Sequence, residues 1–372
     1  MSKILFVAYE FFPLGAGAEI ASHRILKEIG KKDIEIDVLT SWDLKSGLRS
    51  EKIPGINFIE VPILRKDKIN TGFIGMLMFL VLSIFPFIYL TLKNRYSLIH
   101  FWALLPSAIL AFFNFKRIPY VITFGGADVP GFAKGQFELL HFILTPISKM
   151  VARGAKQCFG PSNFSSSYSE KKLGLRKCIT IYNGADRSNA KISTAVTTKP
   201  LRLVSVSRLV EWKRVDLAVQ AVNSIGNVSL DVIGVGPELQ KLKDYANDGP
   251  AEINFLGFVE NSELYKLLPT YDVFILPTIG DSFGIVFTEA MSCGLAVIGA
   301  RAGGVTEVID HEVNGFLAEP NDLNDVISVI KKLDEDREML LKLQNNSIER
   351  FNKRFTWDGP IESYYKVYQG YL

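Results

Sequence analysis

The chain has 372 residues, 48% of them apolar, which is too long for one ordinary core and too apolar for a disordered protein. Its three cysteines, Cys158, Cys178 and Cys293, are scattered and form no C-x-x-C pair, and its four histidines show no metal-ligand spacing, so neither a disulfide framework nor a structural metal is expected. The net charge of +3 is unevenly spread: residues 1–185 carry 23 Lys and Arg against 13 Asp and Glu (+10), and residues 186–372 carry 19 against 26 (−7). A basic first half with no nucleic-acid signature ranks an anionic membrane face above nucleic acid as a surface to meet.

In chain order, KILFVAY reads as a first strand, since one lysine and a short apolar run without an A-x-A-like cleavage site do not make a signal peptide. AEIASHRILKEIGKK follows with helical spacing, then the strands IEIDVLT and INFIEVP. Phe73 to Leu92 is twenty residues without a charge, flanked by Arg65, Lys66 and Lys68 before it and Lys93 and Arg95 after it. Its length suits a bilayer span, but Pro86 and Ser83 interrupt it, and a span would put two parts of one domain on opposite sides of a membrane. A core helix and a helix lying in the membrane interface are the preferred readings. SLIHF, PSAILAFF and YVITF continue an alternation that argues a parallel sheet with helices on both faces, and Lys156 to Gly184 adds strand, helix and strand. The polar, aperiodic stretch Ser188 to Pro200 reads as a linker, after which the rhythm restarts and builds a second doubly wound domain. The chain ends in an amphipathic helix whose Tyr364, Tyr365, Tyr368 and Tyr371 read as packing. The expected organisation is a first domain over 1–186, a linker over 187–200, a second domain over 201–354 and a final helix over 355–372.

Four stretches carry candidate chemistry. GAGAE, with Gly15 and Gly17, lies between a strand and a helix, where small residues admit a ligand and a helix N-terminus favours an anion; it does not fit the dinucleotide pattern G-x-G-x-x-G. The GVGP turn from Gly234 reads as a plain strand-to-helix turn. Arg208 at the end of a strand and Lys213 at the start of a helix would suit a diphosphate, the guanidinium bidentately and the ammonium as a point charge, though a solvated helix start gives the same pattern. In DSFGIVFTE, Asp281 and Glu289 bracket a turn made by Ser282, Phe283 and Gly284, and the N–H groups near Ile285 and Val286 could receive phosphate oxygens. Glu289, inside an apolar helix, faces either a hydroxylated ligand or a partner in its own protein.

The run PTIGDSFGIVFTEAMSCGLAVIGARAGGVTEVIDHEVNGFLAEPND from Pro277 is similar to the donor-binding segment of the retaining glycosyltransferases of family 4. GAGAE, SLIHF from Ser97, TFGGAD from Thr123, Pro161 with Ser162, IYNGAD from Ile181, the step from Arg208 to Lys213, IGVGP from Ile233, FLGFV from Phe255 and the helix after Phe355 follow that family's order over nearly the whole chain. The resemblance implies an α/β GT-B fold, two Rossmann-like doubly wound domains facing a cleft, with the C-terminal helix crossing back to the first. It implies a nucleotide-diphosphate sugar, UDP- or GDP-linked, as co-substrate held mainly by the second domain, with no other cofactor and no metal. The acceptor, a glycan or lipid-linked glycan, would meet the first domain. Arg208 and Lys213 match the family's diphosphate cations, and Glu289 matches the second Glu of its Glu, seven residues, Glu motif, associated with the ribose. Phe283, Gly284, Ile285 and Val286 match the loop and helix start beside the donor sugar and phosphate. Phe258 and Val259 match the surroundings of the base, and Gly15, Gly17, Gly125 and Asp128 fall in the acceptor or diphosphate loops. Two positions depart from the pattern: Asp281 stands where the first Glu is usual, one methylene shorter, and Gly125 stands where a histidine usually approaches the donor sugar.

These readings imply transfer of a sugar with retention, by an enzyme at the cytoplasmic side and peripheral to the membrane. The two departures leave a non-catalytic sugar-nucleotide-binding or scaffold subunit as the alternative. A dehydrogenase is disfavoured by the poor dinucleotide fingerprint.

Overall fold

The computed structural model describes residues 3–68, 71–132, 138–189 and 200–372. It divides into two compact units, Met1–Asn183 with Trp357–Leu372, and Gly184–Thr356. The first holds seven parallel strands, β1 (Lys3–Ala8), β2 (Glu35–Asp43), β3 (Ile56–Ile63), β4 (Tyr96–Trp102), β5 (Tyr120–Thr123), β6 (Gln157–Gly160) and β7 (Ile179–Thr180), in the order β3-β2-β1-β4-β5-β6-β7. Helices α1 (Gly17–Ile29), α2 (Gly72–Lys93), α3 (Glu138–Gly154) and α4 (Asn163–Leu173) and a 3₁₀ turn at Ser107–Phe113 connect them. Ile4 to Ala8 are all buried, which is why β1 reads as a continuous apolar run: helices cover both faces of a parallel sheet. Alternate residues feed different cores, Leu5 and Val7 joining Phe79 and Phe87 on one face, Ile4 and Phe6 joining Ile25 and Leu26 on the other.

The second unit has six parallel strands, β8 (Arg202–Val206), β9 (Ser229–Ile233), β10 (Glu252–Gly257), β11 (Val273–Leu276), β12 (Ala296–Ala300) and β13 (Gly315–Ala318), in the order β10-β9-β8-β11-β12-β13. Its helices are α5 (Val215–Ile225), α6 (Leu239–Asn247), α7 (Asn261–Leu267), α8 (Ile285–Ser292), α9 (Val305–Val308), α10 (Leu323–Glu335) and α11 (Arg337–Arg354). In both sheets the order reverses beside a central strand, between β1 and β4 and between β8 and β11. At such a switch point adjacent loops leave in opposite directions and open a crevice at the strands' carboxyl ends.

The last helix, α12 (Asp358–Gln369), returns to the first unit. Tyr368 Oη lies 2.6 Å from Nδ1 of the buried His100, and Tyr364 Oη lies 3.0 Å from Thr123 Oγ1, so two of the four tyrosines lock the helix to β4 and β5. Burial holds His100 neutral, with its pKa pushed down to about 3. Ala185 pairs with Thr356, and Asp186 N–H donates to Tyr265 Oη at 3.1 Å, so residues 184–186 go with the second unit. Most of the linker expected over 187–200 lies outside the described residues.

The uncharged segment 73–92 is helix α2, with one buried stripe, Gly75, Phe79, Ser83, Phe87 and Leu90, laid against β3 and the 3₁₀ turn. A bilayer-crossing helix would have to surrender that stripe from the sheet's core. The opposite face is bare: Ile74 is 66% and Phe85 77% exposed. Arg65 corrects the expected row of flanking cations. Its guanidinium is buried, 2.6 Å from Glu10 and 2.6 Å from Thr71 Oγ1, so it is a core ion pair and not a surface charge.

Candidate functional site

Loops after β8 and β11 meet at the switch point of the second sheet. The loop after β8 runs through Arg208 to a 3₁₀ turn at Glu211–Lys213, and Trp212 fastens it to the loop after β11 by accepting from Ile279 N–H at 3.0 Å. That brings Lys213 onto Asp281, 68 positions away, with Nζ 2.6 and 2.8 Å from the two carboxylate oxygens and 4.5 Å from the Trp212 ring centre. Both charged side chains are only 12% exposed. Arg208 is half-buried and has no carboxylate partner among the described residues. The Trp212 indole N–H, which sequence reading did not single out, also has no acceptor among them.

Glycines set the backbone of this edge. A Cβ on Gly236 would run into the carbonyl oxygen of Leu209, and one on Gly303 would lie 2.6 Å from that of Asp281. The GVGP turn is therefore more than a strand-to-helix link: Leu209 N–H donates to Val235 at 3.0 Å and Glu238 N–H donates to Leu209 at 3.1 Å, which fixes the loop carrying Arg208. Gly284, at φ +88°, caps α8 in the left-handed region, and Ile285 and Val286 open the helix's first turn, where their N–H groups have no acceptor within the helix. Among the described residues neither N–H has a partner, and these donors, the helix dipole and Arg208 with the Asp281-paired Lys213 give this edge features that suit an anion.

The neighbouring residues divide. Phe258 is 49% exposed just beyond β10, with Val259 half-buried beside it. The Phe283 side chain is 1% exposed and packs edge-on to Phe355 at 5.8 Å, so only its backbone is available to a ligand, because the turn needs an apolar anchor beneath it. Glu289 is buried on α8, hydrogen-bonded by Asn261 and facing Asp186. Burial first and the Asp186 charge second push its pKa up to about 7. Of the two expected environments of Glu289, the structure supplies the protein partner, Asn261.

In the first unit the loops after β1, β4 and β5 converge at the other switch point. Gly15 has φ +94°, and its missing Cβ leaves room for Glu19, whose Oε2 accepts from Ala16 N–H at 2.7 Å; Gly17 opens α1. Burial, and then the nearby Glu10, raise the Glu19 pKa well above the carboxylate range. Asp128 is fully engaged by the backbone: Oδ1 accepts from Gly125 and Gly126 at 2.8 and 2.7 Å, and Oδ2 from Leu104 at 2.6 Å. It ties the loop after β5 to the loop after β4. Gly125 is exposed, and a Cβ there would meet only ordinary contacts, 3.5 Å from Asp128 Oδ1, so packing does not exclude the histidine usual at that place.

Family models match both parts of the chain: Glycosyltransferase Family 4 over residues 15–189 and Glycosyl transferases group 1 over residues 186–350. An uncharacterised glycosyltransferase of Methanocaldococcus jannaschii is 25% identical over 395 residues, covering 99% of this chain and 98% of the relative. N-acetyl-alpha-D-glucosaminyl L-malate synthase of Bacillus anthracis is 25% identical over 75% of this chain and 76% of its own length. Among solved structures, sucrose-phosphate synthase of Thermosynechococcus elongatus superposes with a TM-score of 0.82 at 18% identity, over 100% of this chain and 99% of that one. Anabaena HepE in complex with UDP-glucose superposes with a TM-score of 0.73 at 20% identity, over 100% of both chains. At these identities the structural likeness concerns the fold.

Proposed function

The chain belongs to the group 1, family 4 glycosyltransferases of GT-B fold, and from that premise we propose that it moves a sugar from a UDP- or GDP-linked donor to a glycan or lipid-linked acceptor with retention of anomeric configuration. The observation that carries the reading is the gathering of Arg208, Lys213, Asp281 and the start of α8 at the switch point between β8 and β11. In the reaction the anomeric C–O bond to the diphosphate breaks, a bond from the acceptor oxygen forms on the same face, and the acceptor proton passes to the leaving phosphate oxygen. Positive charge develops on the sugar and negative charge on the diphosphate. Arg208, Lys213 and the N–H groups of Ile285 and Val286 would stabilise the latter, an electrostatic contribution of roughly 3–4 kcal/mol for one well-placed donor. Asp281, freed from Lys213 as the cation turns to phosphate, would hold sugar hydroxyls, Glu289 the ribose, and Phe258 with Val259 the base.

The acceptor would meet the Gly15, Gly17 and Gly125 loops of the first unit, with Asp128 acting through the loops it ties together. The exposed face of α2 and the basic half of the chain support peripheral contact with an anionic membrane, on the cytoplasmic side, where a lipid-linked acceptor would be reached.

The test is a thermal-shift panel of UDP, GDP, ADP and their common sugar conjugates against wild type and Arg208→Ala. A ligand at about a hundred times its Kd adds roughly 2.7 kcal/mol of stability. A shift for one nucleotide that Arg208→Ala removes, followed by sugar transfer that it abolishes, is the expected result. Binding without turnover on any acceptor would favour a sugar-nucleotide-binding scaffold, for which Gly125 and the shorter Asp281 are the motivation. No binding at all would defeat both.

A further inference from the structure

The first unit carries a second concentration of charge, at the end of its sheet opposite the loops just described. A cavity of about 510 Å³ opens between the end of α3, the start of β6 and the loop from α4 to β7. Arg153, Lys156, Arg176 and Lys177 line it, all four exposed and none in an ion pair among the described residues. Several exposed cations elsewhere on the same unit do meet carboxylates: Lys31 pairs with Glu28, and Arg49 and Lys52 pair with Glu60. The acid that belongs to this corner, Glu170 on α4, accepts from Cys178 N–H at 2.7 Å.

Arg153 is held in place. Its Nε donates to the carbonyls of Leu173 and Gly174 at 3.1 and 3.2 Å, at the end of α4. Gly174 is left-handed there, at φ +68°, and a Cβ on it would run into the guanidinium. One glycine thus ends the helix and leaves the seat for the arginine. Four like charges around one concavity repel each other and focus a positive potential into it. An anion with several oxygens relieves this, the planar guanidinium taking two of them and the lysines acting as point charges. The volume exceeds that of a bare phosphate and admits a polyol substituent.

We propose that this cavity is a separate binding site for a phosphate ester of a small polyol, such as a glycerophosphate or sugar phosphate. The phosphate is either free or the headgroup of a lipid. The site does not depend on the donor chemistry, since it lies at the amino ends of β6 and β7 while the candidate substrate loops lie at the carboxyl ends of β1, β4 and β5.

Calorimetric titration of the full chain with glycerol 3-phosphate at fixed ionic strength tests it, alongside sedimentation with phosphatidylcholine vesicles with and without phosphatidic acid. The variants are Lys156→Gln/Arg176→Gln in the cavity and Lys27→Gln/Lys31→Gln as a control that removes the same charge elsewhere. Saturable one-to-one binding of the free ester, weakened about tenfold or more by the cavity variant alone, is expected for a soluble ligand. Binding only to phosphatidic acid vesicles, with the same dependence on the cavity residues, assigns the site to a lipid headgroup. Binding that is absent from both arms, or that falls equally in both variants, overturns the proposal. Unchanged nucleotide shifts in the cavity variant keep this outcome distinct from any failure of the donor site.

Discussion

Lys213 and Asp281 were expected to touch different parts of a donor, and the structure joins them to each other at 2.6 Å. A pair this enclosed is costly to break from one side, because the survivor is left desolvated. Lys213→Ala, which strands Asp281 at 12% exposure, should lower stability by about 2–4 kcal/mol, whereas Asp281→Ala should cost less because a lysine stem can turn its ammonium to water. The double variant should lie above the sum of the two, with a coupling of about 1–3 kcal/mol in a urea-unfolding cycle. Additivity would mean that the pair holds nothing in place. Glu289 gives the second prediction at this scale. Its folded pKa, about 7, is raised from 4.5, so the folded chain keeps a proton that the unfolded chain loses between those values. Its contribution to stability is therefore full below about pH 4.5 and is lost as pH rises through about 7. Glu289→Gln should change stability little at pH 5 and raise it by about 1–3 kcal/mol at pH 8, while weakening nucleotide binding, since an amide offers one acceptor where a carboxylate offers two. A variant destabilised equally at both pH values would show that the carboxyl is merely a buried hydrogen-bonding group.

At the scale of elements, the strands were legible because both faces of each sheet are covered, so β1, β4, β8 and β11 announce themselves as apolar runs. The carriers of the candidate site could be found too, since they sit where strand ends meet glycines. Their partnerships could not. Arg65 meets Glu10 across 55 positions of chain and looked like a surface cation, Asp128 spends its oxygens on three backbone N–H groups, and Phe283 is buried inside a turn. Local periodicity records which face a residue is on, and it does not record which distant residue shares that face. The glycine turns follow the same division: GVGP was visible, but its grip on the Arg208 loop came only with the contact between Gly236 and Leu209. Gly236→Ala must push that loop outward. It should lower affinity for the donor nucleotide by about 10- to 100-fold through displacement of Arg208, with the second sheet still folding cooperatively. Calorimetry with the nucleotide identified by thermal shift checks this, and unchanged affinity would remove Arg208 from the site.

For the molecule as a whole, the charge asymmetry of the sequence acquires a location. No Asp or Glu occurs between Asp67 and Asp128, a stretch that holds α2, and its cations Lys68, Lys93, Arg95, Lys116 and Arg117 are all exposed. Beside them α2 presents Ile74, Leu77, Val81, Phe85 and Tyr89 to solvent, and the neighbouring 3₁₀ turn and the loop after it add Phe112 and Phe115. A helix buried on one stripe and apolar on the other, edged by cations, is suited to lie in the interface of an anionic bilayer. Ile74→Asp/Phe85→Asp changes two side chains that make little contact with the core, so the fold should survive. Loss of two apolar groups, each worth about 1.5–3 kcal/mol when fully buried, should weaken sedimentation with phosphatidylglycerol vesicles by at least about tenfold. Lys93→Gln/Arg95→Gln should weaken it by about 1 kcal/mol per charge on those vesicles and not on neutral phosphatidylcholine. A face that instead seals against a second copy would lose its dimer in light scattering in the aspartate variant and leave vesicle binding unmoved. The two occupants therefore separate on one pair of variants, because a bilayer needs both the apolar face and the charge beside it, whereas a self-associating apolar face is indifferent to the charge of the lipid.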